Sequence, residues 1–199
     1  MKKFLILIIG LLFIPNLSFG AETLIDSYSE TNTSDPDTYI FAGGFIMRGH
    51  SFTNTNEINL TSVKIYARKY GNPTGSVYAQ LYAHSGTYGT NSLPTGSALA
   101  TSDAFDVSTL TTSSQLITLT FSGSEQYLMS ASTYYELVIL YNGGNSSNRL
   151  EIAVDITNPT HSGNSSYYNT SGIWTNYATA DTIFYVYGET TGTEPEPTT

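Results

Sequence analysis

The chain reads as an all-β protein, a single-domain antiparallel β-sandwich of jelly-roll type, and three observations predict it. Short segments alternate apolar and polar residues with a period of two, and no segment carries a helical period. Clusters of Gly, Asn, Pro and Ser separate these segments at short spacing. Sixteen Tyr and nine Phe against 12% charged residues is a strand and turn composition, too aromatic for a disordered chain.

Residues 1–20 precede the alternation and read as a secretory leader. Met1-Lys2-Lys3 is its positive start and Phe4 to Ile14 its apolar run. Ser18 and Gly20 supply the small residues of a cleavage site before Ala21. The run is too short for a membrane span, so the expectation is a bacterial export signal and a secreted or cell-surface protein. Residues 21–37 are polar and turn-rich, a lead-in strand or a loose arm.

The β-domain is expected over residues 38–189. Tyr39 to Met47 is a strand candidate loosened by Gly43-Gly44. Ser62 to Lys69 sets Val63, Ile65 and Ala67 against Lys64, Tyr66 and Arg68; Ser76 to His84 sets Val77, Ala79 and Leu81 against Tyr78, Gln80, Tyr82 and His84. Gln115 to Phe121 alternates likewise. Thr133 to Tyr141 is apolar on both faces and reads as a central strand. Arg149 to Ile156 places Leu150, Ile152, Val154 and Ile156 inside, and Thr182 to Tyr187 closes the domain. Shorter strands are expected near 98–102 and 173–174. Asn72-Pro73-Thr74-Gly75 fits a type I turn, and Pro94-Thr95-Gly96 is read as a second turn of the same chemistry. Residues 190–199 are a Thr/Glu/Pro-rich linker or tail.

Charge and cysteine narrow the function. Beyond the leader, five basic side chains stand against sixteen acidic ones, a net charge of −11. Such a surface disfavours nucleic acid and anionic membrane as partners. Cysteine is absent, so an exported domain of this size depends on its core.

The runs Gly49–Thr53, Leu60–Tyr66, Gly71–Val77, Leu93–Ser102, Thr133–Val138 and Phe184–Gly188 carry a family likeness. Together they resemble the choice-of-anchor R type of bacterial and archaeal surface-protein domains, over most of residues 40–188. The resemblance implies an exported β domain, commonly set before an anchoring signal, and it implies little about activity. This sequence departs from the pattern in ending on the Thr/Glu/Pro stretch.

Candidate sites are aromatic first. If Ser62–Lys69 and Ser76–His84 pair as a hairpin, Tyr66, Arg68, Tyr78, Tyr82 and His84 share one face. Rings stack on the apolar face of a pyranose while Arg, Gln and His bond its hydroxyls, so this face suits carbohydrate; the plain alternative is cross-strand Tyr pairing. Trp174, with Tyr167, Tyr168 and Tyr177, lies in a Gly/Asn/Ser-rich segment read as a binding loop or as a plug at one end of the core. Glu151 and Asp155 share a strand face but are too far apart for glycoside hydrolysis, and read as solvated charges. Asp35 with Asp37, and Asp103 with Asp106, offer oxygen ligands to a structural calcium or are simply turn residues. His50, His84 and His161 have no zinc spacing.

Three functions follow. The favoured one is a non-catalytic module that binds extracellular polysaccharide or glycan and requires no cofactor. The second is a structural or assembly domain of a cell-surface layer or appendage, with other surface subunits as partners. A jelly-roll glycoside hydrolase comes last, since the sequence offers no convergent acid/base pair of carboxylates.

Overall fold

The computed structural model of the protein describes residues 21–190; the expected leader and tail lie outside the described residues. Fifteen strands follow one another: β1 Thr23–Tyr28, β2 Asp35–Ile40, β3 Phe45–Asn54, β4 Ile58–Tyr70 and β5 Ser76–Ser85. Then come β6 Leu93–Thr101, β7 Phe105–Asp106, β8 Gln115–Thr120, β9 Leu128–Met129 and β10 Thr133–Leu140. The last are β11 Arg149–Asp155, β12 Ser165–Asn169, β13 Trp174–Tyr177, β14 Asp181–Thr182 and β15 Phe184–Glu189. Three single 3₁₀ turns are the helical elements among the described residues. None is long and apolar enough to cross a membrane.

The strands form two antiparallel sheets, the architecture of a β-sandwich. The first has the order β1-β15-β4-β11-β14, with β2 added to β11 and with β8 and β9 added to the other edge of β4. The second runs β13-β12-β3-β10-β5-β6, with β7 on β5. Between them lies one core, to which β4 and β15 contribute Leu60, Val63, Ile65, Phe184 and Val186, and β3, β5 and β10 contribute Phe52, Leu81, Leu137 and Ile139. The alternation of each strand therefore does what period-two patterning requires: one row faces the other sheet.

The structure departs from the sequence reading at identifiable places. Residues 39–47 are not one strand: β2 ends at Ile40, the chain turns through Gly43 at φ +90°, and β3 runs on to Asn54 in the other sheet. Residues 23–28 pair with β15 inside the first sheet. Pro94-Thr95-Gly96 lies inside β6, where Gly96 takes φ +73° and the pairing with β5 slips, so turn chemistry serves a bulge. Ile156, expected inside, is 45% exposed because β11 ends one residue earlier.

Candidate functional site

The outer face of the second sheet holds the most unusual chemistry. β10 turns Tyr135, Leu137 and Ile139 into the core, which leaves Tyr134, Glu136 and Val138 on the opposite side. Glu136 sits opposite Ser51 of β3 and Tyr82 of β5; in the next row Val138 lies between Gly49 and Gln80. Gly49 in turn faces Ser166 of β12. The glycine leaves room for the cover: a Cβ would overlap Ser166 Oγ and would lie 3.4 Å from the Trp174 ring and 3.6 Å from Glu136 Oε2.

Glu136 is fully buried, and neither carboxyl oxygen has a hydrogen-bond partner. Burial pushes its pKa up to about 9, so the side chain is a neutral acid at neutral pH. Ser166 Oγ and His84 Nε2 are likewise buried without partners. Three polar groups of one sheet face thus lie beneath a cover of rings.

That cover has two parts. Trp174 and Tyr168 face each other across the β12–β13 hairpin with centroids 5.2 Å apart. At the other end Tyr88 stacks on Tyr134 at 4.2 Å, and His84 packs 5.5 Å from Tyr134. Tyr82 lies between, its hydroxyl donating to Gln80 at 3.3 Å, while Gln80 donates to Thr101. Tyr78 occupies the row beyond, opposite Leu140. Partly exposed rings are thus interleaved with amide and hydroxyl groups on this face.

Of the six expected ligand residues, the structure brings Tyr78, Tyr82 and Trp174 to this face. Tyr66 and Arg68 are elsewhere, because β4 and β5 belong to different sheets and are not a hairpin. The turn at 71–75 carries the chain across the sandwich, so Tyr66, packed against the core, and Arg68, paired with Glu151, stay with the first sheet. Tyr177 is on the inner side of β13, 6.0 Å from the Arg48 guanidinium. Trp174 is neither on a loop nor an end plug: it opens β13 and covers Gly49.

The acidic residues also change their reading. Glu151 is buried and clamped by Arg68 Nε at 2.7 Å and Arg149 Nη2 at 2.6 Å. Ala153 joins Ile152 in the core, and Asp155, opposite Asp181, is turned to the inner side. There Asp155 accepts from the Tyr28 hydroxyl at 2.8 Å and from the Thr157 and Asn158 amides. Neither residue is a solvated surface charge, and they do not share a face. Asp103 accepts from Ser122 Oγ, and Asp106 caps the 3₁₀ turn at 107–109 through Ser108 N. The side chains of Asp35 and Asp37 lie outside the described residues.

Two of the distant histidines meet in the core. His50 Nε2 lies 3.0 Å from His161 Nδ1, and His161 Nε2 lies 3.2 Å from Asp26 Oδ1; Asp181 Oδ1 is 3.9 Å from His50 Nε2. His50, His161 and Asp181 could together hold a metal ion by proximity. The main chain argues otherwise. Thr182 N–H points at His50 Nδ1 and Gly163 N–H at His161 Nδ1, so both of those nitrogens are acceptors. His50 therefore carries its proton on Nε2 and donates to His161, which donates from Nε2 to Asp26. An ion would need the nitrogen lone pair that Gly163 already engages, and a tautomer of His50 that Thr182 opposes. The residues fit a proton-ordered hydrogen-bond chain and not a metal centre.

Sequence reasoning missed Glu136, Gly49 and the histidine chain. A lone Glu in the most apolar strand was the available signal for the first. No family model, curated protein or solved structure matches the chain.

Proposed function

We propose that this is a secreted or cell-surface, non-catalytic module that binds extracellular carbohydrate through the outer face of the β13-β12-β3-β10-β5-β6 sheet, on a jelly-roll type of sandwich. The observation that carries the reading is the convergence of Trp174, Tyr168, Tyr82 and Tyr78 on one face, interleaved with Gln80 and floored by Glu136. Rings supply stacking, and the Gln80 amide supplies direction to hydroxyl groups. The leader-like start and the motifs shared with choice-of-anchor R surface domains support export. The net charge of −11 beyond the expected leader supports a partner that is neither nucleic acid nor anionic lipid.

A glycan array followed by affinity electrophoresis tests this. Trp174→Ala and Tyr82→Ala each weaken binding at least about tenfold, the loss of roughly 1.4 kcal/mol expected from one stacking ring. Tyr66→Ala, on the other sheet, leaves it unchanged. A blank array, or equal loss in all three variants, rejects the reading. Because Asp103 and Asp106 already serve Ser122 and Ser108, binding persists in EDTA.

A further inference from the structure

Arg48 sits on the inner side of β3, in the row of His50 and Phe52, with Ile139 of β10 beside it on one side and Tyr167 of β12 on the other. It is only 8% exposed. Its guanidinium lies over the Phe45 ring at 5.0 Å, Tyr167 at 5.4 Å and Tyr177 at 6.0 Å. Nε is sealed from solvent with no hydrogen-bond partner, and among the described residues no carboxylate pairs with the group. The contrast with Arg68 and Arg149 is direct: those two share the buried Glu151. A guanidinium keeps its charge under almost any condition, so leaving one desolvated without an anion is costly. Burial does pull its pKa down, to about 10, which still leaves it protonated.

The surroundings are aromatic and continue toward solvent. Tyr39 extends the aromatic wall, 6.3 Å from Phe45 and 41% exposed, and Arg149 stacks on its ring at 5.2 Å. Phe45 and Tyr167 meet edge to face at 4.7 Å. None of the guanidinium nitrogens donates to a described residue, and Nε alone is sealed. The terminal nitrogens, a fork that matches a carboxylate in two parallel hydrogen bonds, thus remain open to a ligand.

We propose that Arg48 and the Phe45, Tyr167, Tyr177 and Tyr39 rings form a second subsite, specific for the carboxylate of an acidic sugar. It rests on the carbohydrate reading above and adds the ligand class, a uronic-acid polymer. The guanidinium takes the carboxylate and Tyr39 takes the pyranose face. The charge of −11 beyond the expected leader gives no long-range attraction for a polyanion, so selection happens at contact.

The test is affinity electrophoresis of the full chain in gels containing polygalacturonate or neutral galactan, with Arg48→Met and Arg48→Lys beside Trp174→Ala. Polygalacturonate retards the wild type, and Arg48→Met binds it at least about tenfold more weakly while keeping its affinity for galactan. Arg48→Lys retains the charge but not the fork and falls between the two, which preserves the test should Arg48→Met fail to fold. Monomeric galacturonate raises the melting temperature of the wild type and not of Arg48→Lys. Unchanged polygalacturonate binding in both arginine variants overturns the subsite. So does a melting temperature lowered in both with no change in either affinity, the result for a purely structural arginine. If galactan binding is lost in Trp174→Ala while polygalacturonate is never bound, the subsite falls and the carbohydrate reading stands. If neither polymer is bound, both fall.

Discussion

Glu136 makes the sharpest statement about pH. Its folded pKa of about 9 lies above the ordinary carboxyl value of 4.5, so the folded chain holds a proton that the unfolded chain releases. Stability from this group is complete below about pH 4.5 and is lost as pH rises to 9. One pKa unit corresponds to about 1.4 kcal/mol, so the loss is of the order of several kcal/mol. Urea unfolding at pH 5, 7 and 9 reads it directly: the wild type weakens steadily, and Glu136→Gln, which cannot ionise, follows a flatter profile. A wild-type profile as flat as the variant's would mean that the carboxyl is solvated. Gly49 is the matching steric test. Gly49→Ala drives a methyl against Ser166 Oγ beneath the Trp174 ring and costs about 1–3 kcal/mol as overpacking does, read by the same urea unfolding.

Among the strands, the long alternating ones were legible because nothing interrupts their period. Ser62–Lys69, Ser76–His84 and Thr133–Tyr141 fall inside β4, β5 and β10 or overrun them by one residue. Which sheet each strand joins was not legible, since period-two patterning names a face and not a partner. That ambiguity separated Tyr66 and Arg68 from Tyr82, and hid the fact that Trp174 closes over β3. The bulge at Pro94-Thr95-Gly96 was invisible for a related reason: it has the chemistry of a turn, and only the pairing reveals the slip. The Glu151 clamp belongs to this scale as well, since it ties β4 to β11 where their ladder is four residues long. Glu151→Ala leaves two arginines facing each other and lowers stability by about 1–3 kcal/mol, toward the lower part of the range for broken buried pairs because both are partly exposed. Chemical denaturation of the variant with Arg68→Ala and Arg149→Ala checks that the effects are not additive.

Across the whole molecule, the His50–His161–Asp26 chain joins β1, β3 and the loop before β12, with Asp181 of β14 beside it. Burial holds His50 well below its usual value, and burial lifts Asp181 to about 6. The unfolded chain takes a proton on His50 near pH 6.5 that the folded chain refuses, so this contribution is complete above that pH and is lost in acid. Asp181 acts in the opposite sense, binding its proton in the folded state first as pH falls through 6 and stabilising down to about 3.8. Melting temperatures between pH 7 and 4 therefore drop less in His50→Gln than in the wild type, and drop more in Asp181→Asn; the reverse order would refute the assignment.

The pairing of β1 with β15 has a mechanical corollary. Thr23 lies opposite Gly188, so chain ends entering and leaving this ladder emerge side by side. A load applied between them meets the rungs singly, as a zipper does, instead of shearing them all at once. Stretched between two attachments, the domain peels open at low force from β1 inward, releasing Asp26 from His161 and Tyr28 from Asp155. Tethered through one end alone, it carries no tension across that seam.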